Sequence, residues 1–192
     1  MSPPRVLSCT EPPVRERAPP EENRTSTHPW CTAKNLDVCE RNRPSTYIYK
    51  IADEKIRNHA QQGLSSSHEV MGLMVGGLFR WQDREYTLVR DVVTTDLDSD
   101  MLGVRFRADG FAGLIDSLDD LDFNYRIVGW YHSHPGIGCF LSHIDHSTQS
   151  GIFNQSHHSA LVVDPKNKEL EVYSGTELTS FRIYWDRFQD PC

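Results

Sequence analysis

The chain has 192 residues, enough for one domain with a buried core plus an appendage. Its net charge of −7 is uneven: residues 45–192 hold thirteen Lys or Arg against twenty-one Asp or Glu, a net of −8, and the first 44 residues have a net of +1. This acidic body argues against nucleic acid as a partner, because phosphates need a basic face. No apolar run approaches the ~18–20 residues of a membrane span and no apolar signal segment opens the chain, so we expect a soluble, cytoplasmic protein without a membrane partner.

The first 44 residues differ in composition from the rest. They hold eight of the eleven prolines and almost no periodic apolar pattern, which predicts a disordered or loosely attached tail before a domain over residues 45–190. His28, Cys31 and Cys39 could belong to a second metal site, but no fourth ligand is evident, and a flexible segment with isolated thiols is the simpler interpretation. The five cysteines form no Cys-x-x-Cys pair, which argues against a disulfide framework.

The first half of the domain is predicted to contain one strand, one helix and then two further strands. Ile56 and Ala60 share an apolar helix face, Gly63 is a candidate C-cap, and the glycines of the next strand suggest close backbone approach or a bend. The predicted elements are a strand over Tyr47–Ile51, a helix over Ala52–Gln62, a buried central strand over Val70–Phe79 and a strand over Glu85–Thr95.

The middle of the chain begins with an acidic, turn-rich segment, Asp96–Gly103. Val104-Arg105-Phe106 then alternates like a strand, and Asp109 can cap a helix with an apolar stripe. Several strands follow, over residues 126–133, 158–164, 169–173 and 178–185. Strands alternating with three helices predict an α/β fold, a mixed sheet flanked by helices.

Chemistry-bearing residues converge between residues 132 and 145. His132 and His134 are two apart on a strand, so both imidazoles leave the same face. Pro135-Gly136 stops that strand, and Ser142-x-x-Asp145 opens a helix. Two imidazoles and one carboxylate form the three-ligand set of a catalytic zinc. An incidental His-x-His and a plain capping box are the alternatives, although Ser142 can cap the helix and still face a metal.

The pattern His-x-His-Pro, six residues, then Ser-x-x-Asp resembles the signature of the JAMM (MPN+) zinc metalloprotease family. The string from Gly129 to Ser142 is most similar to the deubiquitinating members of the proteasome lid and of archaea. The family also needs an upstream glutamate, which Glu69 supplies in Glu-Val-Met-Gly. The resemblance covers roughly residues 47 to 185.

The resemblance implies a single MPN domain with one Zn²⁺ held by His132, His134 and Asp145. Glu69 would be the general acid and base, and Ser142 would stabilise the oxyanion. Without the resemblance, the sequence around Glu69 fits a surface residue at a strand start equally well. The bond cleaved would be the isopeptide bond at the C-terminus of ubiquitin or a ubiquitin-like modifier. A proteasome or another AAA+ assembly is the implied partner.

An extended modifier tail is best held by strand addition, for which residues 96–106 are the candidate segment and an ordinary connecting loop the alternative. The predicted substrate-binding residues are Val104, Arg105, Phe106, Cys139 and Phe140. Cys139 has no partner cysteine, so packing at the groove is favoured over a nucleophile. His143 and His146 lie outside the ligand pattern, and we expect them to be exposed or to support the ligands.

Two other functions remain open. The domain could process another small β-grasp or sulfur-carrier protein, or it could be a non-catalytic MPN scaffold, although such scaffolds usually lack ligands that this chain retains. A nucleobase deaminase is disfavoured, because that class needs His-x-Glu and Pro-Cys-x-x-Cys.

Overall fold

The computed structural model describes residues 14–66, 68–94 and 126–185. The strands are β1 (Arg15–Glu16), β2 (Thr25–Ser26), β3 (Thr46–Tyr49), β4 (Met71–Trp81), β5 (Arg84–Thr94), β6 (Arg126–Ser133), β7 (Ser159–Asp164), β8 (Glu169–Ser174), β9 (Glu177–Leu178) and β10 (Phe181–Tyr184). The helices are α1 (Ala33–Arg41), α2 (Lys50–Ser66) and α3 (His143–Gly151), with a 3-10 turn at Glu22–Arg24.

The strands form one mixed sheet in the order β2-β10-β3-β5-β4-β6-β7-β8-β9, and β1 runs parallel to the far end of β4. Parallel pairs join β10 to β3, β3 to β5 and β6 to β7, whereas the other neighbours are antiparallel. The predicted α/β fold, a mixed sheet flanked by helices, is therefore confirmed.

β4 is the central strand that the apolar run predicted. It pairs antiparallel with β5 on one side and β6 on the other, and its first residues are buried. A Cβ at Gly76 would lie 1.8 Å from the Leu88 carbonyl oxygen, and the register shifts between Val75 and Gly76. The predicted close approach and bend both occur at this glycine.

The described residues form three apolar cores: one on each face of the sheet and a third that includes Tyr86 and Leu88. Ile56 and Ala60 of α2 pack on one face, against residues that include Met74 and Leu161. The opposite face holds a second core around Trp130, with Phe153 packed beyond the end of α3. The site described below lies at one end of this second face.

Three predicted boundaries are wrong. The first strand, predicted over Tyr47–Ile51, ends at Tyr49, and helix α2 begins at Lys50. Helix α2 continues through Gly63 to Ser66, and a Cβ at Gly63 would lie 2.5 Å from Val70 Cγ1 and 2.7 Å from the His68 carbonyl oxygen. Gly63 therefore permits a close approach and is not a C-cap. The last predicted strand is divided into β9, which pairs with β8, and β10, which pairs with β3.

The prediction that the first 44 residues do not join the core is wrong for residues 14–44. Thr25–Ser26 pair with β10, and residues 30–32 exchange backbone hydrogen bonds with Leu170 at the edge of β8. Asn35 of α1 is fully buried; its Oδ1 accepts the Val172 N–H at 2.8 Å and its Nδ2 donates to the Thr179 carbonyl at 2.9 Å. Pro-rich, extended backbone is suited to covering sheet edges, which composition alone does not reveal.

The same segment is fastened to α2 through His28. The His28 side chain is buried; its Nδ1 accepts the Trp30 N–H at 2.9 Å and its Nε2 lies 2.9 Å from Asp53 Oδ1. Burial alone would raise the pKa of Asp53, but His28 and Arg57 hold that pKa below its usual value. His28 is therefore occupied by packing contacts, and Cys39 lies in the core beside Phe181. The described residues provide no second metal cluster here.

Several predicted features lie outside the described residues: the 96–106 segment with Val104, Arg105 and Phe106, the helix after Asp109, and the end of the domain beyond residue 185. Among the helices that are described, none is long and apolar enough to cross a membrane.

Candidate metal centre

Strand β6 carries both predicted histidines to the same end of the sheet. It spans the predicted residues, Arg126–Ser133, and is buried along most of its length because β4 and β7 flank it. His132 lies opposite Met71 and Val162 in the two neighbouring strands. The pairing with β7 continues one residue further, since the His134 N–H donates to the Val163 carbonyl at 2.9 Å. The His134 backbone is therefore fixed although it lies beyond the strand.

Helix α3 brings the carboxylate. Ser142 is its N-cap, with Oγ accepting the Asp145 N–H at 3.3 Å while the Ser142 N–H donates to Asp145 Oδ2 at 2.6 Å. This is the predicted capping box, and it does not compete with ligation. The same Oδ2 lies 3.4 Å from His132 Nε2 and 3.8 Å from His134 Nε2.

The three atoms form a triangle of the size that a tetrahedral zinc requires. His132 Nε2 and His134 Nε2 are 3.2 Å apart, which completes edges of 3.2, 3.4 and 3.8 Å. Zinc bonds of 2.0–2.1 Å at tetrahedral angles give edges of about 3.3 Å. All three side chains are buried, and this is the one group of three or more metal-ligand side chains in the part of the chain that the structure describes.

His134 is prepared as a neutral ligand. Its Nδ1 lies 3.1 Å from the Gly138 carbonyl oxygen, which can only accept, so the proton sits on Nδ1 and the lone pair on Nε2. Burial, followed by repulsion from His132, lowers the pKa of His134 to about 4. Burial alone would raise the pKa of Asp145, yet His132 and Ser142 lower it to about 2. At neutral pH the set is one carboxylate and at least one neutral imidazole.

An aromatic ring packs against His132. The Trp130 ring stacks on the His132 ring at 4.6 Å with 13° between the planes. Trp130 Nε1 donates to Gln149 Oε1 at 2.7 Å, and both groups are buried. The sequence did not single out either residue, although Trp130 precedes His132 by two in the strand and Gln149 follows Asp145 by four in the helix, so both share the ligands' faces.

Glu69 lies beside this centre by register. The Ser133 N–H donates to the Val70 carbonyl at 2.8 Å, and the Val70 N–H donates to Ser133 Oγ at 2.9 Å, so the β4–β6 pairing continues before Met71. Extending the pairing of Met71 with His132 sets Glu69 opposite His134. Directly opposed residues of an antiparallel pair project to the same face, which is the face of the ligands. Glu69 is half-buried.

The loop between the ligands contributes one buried and one exposed side chain. Cys139 is buried; its thiol donates to the Val162 carbonyl at 3.4 Å, and burial raises its pKa well above the usual value. It packs, which agrees with the favoured interpretation. The Phe140 ring is 42% exposed and 4.7 Å from the His134 ring, so it forms an apolar rim. His143 and His146 are exposed, as predicted.

The protein is thus a domain built on a mixed α/β sheet, with a candidate metal centre at one end of that sheet. Residues 45–156 match the family described as JAB1/Mov34/MPN/PAD-1 ubiquitin protease, and the chain belongs to that family. The match confirms the resemblance to JAMM proteins and the single MPN domain.

Named relatives come from two kinds of assembly subunit. COP9 signalosome complex subunit 5 of Debaryomyces hansenii is 35% identical over 150 residues, 76% of this chain and 30% of that protein. Ubiquitin carboxyl-terminal hydrolase RPN11 of Saccharomyces cerevisiae is 39% identical over 127 residues, 64% of this chain and 39% of that protein. The chain thus spans about a third of the length of these relatives. Among solved structures, protein DSY2949 from Desulfitobacterium hafniense has a TM-score of 0.49 at 20% identity, over 73% of this chain and 94% of that one.

Proposed function

We propose that this domain is a zinc-dependent isopeptidase that hydrolyses the bond between the C-terminus of ubiquitin, or of a ubiquitin-like modifier, and a substrate lysine. The observation that carries the proposal is the buried triangle of His132, His134 and Asp145, whose edges of 3.2–3.8 Å fit a tetrahedral ion with one open position. The names of the relatives support ubiquitin or a similar modifier as the substrate.

His132, His134 and Asp145 would hold the metal through Nε2, Nε2 and Oδ2. When bound, zinc supplies a Lewis acid and lowers the pKa of a coordinated water to about 7. The carboxylate of Glu69, on the same face, would take the water proton and deliver it to the departing lysine amine. One group can serve as base and then as acid because it regains its starting state after each cycle.

Ser142 would stabilise the tetrahedral intermediate. Its Oγ accepts the Asp145 N–H, which uses a lone pair and leaves the hydroxyl hydrogen for donation. A hydroxyl fixed at a helix N-cap is preorganised, so its hydrogen bond to a developing oxyanion costs little reordering. Phe140 would contact the modifier tail at the rim of the centre.

The proposal also includes a multisubunit setting. The relatives are named as subunits of the COP9 signalosome and as a regulatory subunit of the 26S proteasome. We therefore expect the domain to act on ubiquitin-like conjugates within a larger assembly, such as a proteasome.

The test is incubation of the purified chain with a panel of conjugates, with and without a chelator, followed by mass spectrometry of the cleaved ends. The panel contains ubiquitin, ubiquitin-like and sulfur-carrier conjugates. Cleavage after the modifier's C-terminal residue, lost with chelator and restored by zinc, supports the proposal.

Two matched variants sharpen the test. Asp145→Ala removes a ligand and should abolish cleavage, whereas His146→Ala changes an exposed neighbour on the same helix and should retain it. Cleavage that survives in Asp145→Ala contradicts the proposal. A zinc-loaded chain that binds conjugates without cleaving any of them would instead be a scaffold.

A further inference from the structure

Asp164, at the end of β7, is a fully buried carboxylate surrounded by donors. Its Oδ1 accepts the backbone N–H groups of Gly136, Lys166 and Asn167, each at 3.0 Å. Its Oδ2 accepts the Gly138 N–H at 2.7 Å and the Asn167 side-chain amide at 2.8 Å. All five partners donate, so the group is an ionised acceptor.

These donors belong to two different turns. Lys166 and Asn167 lie in the turn between β7 and β8, where an aspartate commonly bonds the backbone that follows it. Gly136 and Gly138 lie in the turn that follows His134 and have φ of +87° and +84°. Asp164 therefore fastens the turn after His134 to the end of β7.

That turn ends at the metal centre. Gly138 donates its N–H to Asp164 Oδ2, and its carbonyl oxygen lies 3.1 Å from His134 Nδ1. This carbonyl sets both the tautomer and the ring orientation of His134. One glycine thus connects a buried carboxylate to a ligand of the candidate metal.

We propose that Asp164 is a positioning residue for the metal centre: it fixes the Gly136–Gly138 turn so that the Gly138 carbonyl orients His134 Nε2 towards the ion. This inference rests on the proposed metal chemistry. The bonds from Asp164 to Lys166 and Asn167 are enough to hold the β7–β8 turn. Its bonds to Gly136 and Gly138 therefore serve a different purpose, which is the one proposed here.

The variant that separates the two roles is Asp164→Asn. The amide keeps the size of the carboxylate, and its remaining oxygen can still serve the β7–β8 turn. Its NH₂ group, in the place of Oδ2, can accept neither the Gly138 N–H nor the Asn167 side-chain amide, so donors would face each other, while the backbone bonds of Lys166 and Asn167 to Oδ1 remain. Supporting partners of metal-bound histidines usually contribute 10–100-fold to metal affinity, and we expect a loss of that order.

The experiment measures zinc affinity by competition with a chelator, and the visible absorption of the cobalt-substituted chain, which reports ligand geometry. Asp164→Asn should weaken zinc by ~10–100-fold and alter the cobalt spectrum. The matched control is Asp53→Asn, which changes another buried carboxylate whose partners are His28 and Arg57. This control should lower the melting temperature while zinc affinity and the cobalt spectrum stay unchanged.

A second variant covers the case in which Asp164→Asn does not fold. Gly138→Ala leaves Asp164 intact but disfavours the φ of +84°, and its Cβ would meet nothing nearer than Glu169 Oε2 at 3.6 Å. It should weaken zinc and alter the cobalt spectrum in the same direction. Unchanged zinc affinity and an unchanged spectrum in a folded Asp164→Asn or Gly138→Ala chain overturn the role of Asp164. An unaltered chain that binds no zinc overturns the metal centre as well.

Discussion

At the scale of single residues, Glu69 and the ligands differ in what their removal should change. Glu69 precedes β4 and is set on the ligands' face by the register with β6, whereas the three ligand atoms lie within 3.2–3.8 Å of one another. In the proposed function Glu69 is the general base and not a ligand, so its removal should leave the three metal ligands in place.

We expect Glu69→Gln to keep its zinc and its melting temperature while turnover falls by at least ~100-fold, the usual contribution of a general base. Metal analysis and steady-state kinetics on a conjugate measure the two effects. Glu177→Gln, at an exposed strand position, is the control and should retain turnover. Loss of zinc in Glu69→Gln would make this glutamate a ligand, contrary to the proposed role.

The ring of His132 offers a second test. Trp130 stacks on it and is itself held by Gln149, so Trp130→Leu should free the ring while keeping an apolar side chain in the core. We expect weaker zinc binding and a destabilisation of a few kcal/mol from the cavity. Phe153→Leu, in the same core but beyond the tryptophan, should destabilise without weakening zinc. Equal zinc affinity in both variants would show that the stack does not position His132.

At the scale of elements, the segment over residues 14–44 is the main structural addition to the sheet. It covers the edges of β10 and β8, and Asn35 satisfies a β8 N–H and a carbonyl before β10 with one side chain. Deleting residues 1–44 should therefore lower the melting temperature.

Asn35→Ala tests that coupling. Each buried group left unpaired costs ~1–3 kcal/mol, so we expect the free energy of unfolding to fall by about 2–4 kcal/mol in urea denaturation. Asn42→Ala is the control, because Asn42 is exposed and its side-chain amide donates to the Val38 carbonyl of the adjoining helix at 3.1 Å. A change in Asn35→Ala as small as that in Asn42→Ala would mean that the segment contributes little to stability.

Elements with strong periodicity were predictable, and those whose partner is distant in sequence were not. Strand β6 was predicted over its full length because its apolar residues are continuous, and the two-residue spacing of His132 and His134 fixed their common face. The packing of residues 14–44 on the sheet was not predicted, because this segment is held by hydrogen bonds to the edges of β8 and β10. Those strands lie more than 120 residues further along the chain, and the composition of the segment does not reveal the pairing. In the sequence, Asp164 is merely the last residue of a predicted strand, since its contacts to Gly136 and Gly138 depend on the parallel pairing of β6 with β7.

At the scale of the whole molecule, the buried His134 and the half-buried His158 should make stability depend on pH. Burial, with like-charge neighbours, lowers the pKa of both His134 and His158 to about 4 in the folded chain. Unfolded histidine titrates near 6.5, so the unfolded state binds more protons between these values. The stabilisation is complete above about pH 6.5 and is lost as the pH falls towards 4.

We expect the free energy of unfolding of the chelator-treated chain to fall from pH 7 to pH 5 in urea denaturation. His158→Gln should flatten this dependence, whereas His143→Gln, at an exposed position, should not. Asp145, whose pKa is lowered to about 2, adds its own loss only below its unfolded value near 3.9. A stability that is constant between pH 7 and 5 would contradict the neutral, buried state of the histidines.

The most direct test of the central claim is the zinc content of the purified chain. We predict about one zinc per chain, as expected for a three-ligand catalytic site. His134→Ala and Asp145→Ala should lose the zinc together with cleavage, while His146→Ala keeps both. A metal-free chain that cleaves conjugates at the full rate, or an Asp145→Ala chain that retains zinc and activity, would contradict the claim.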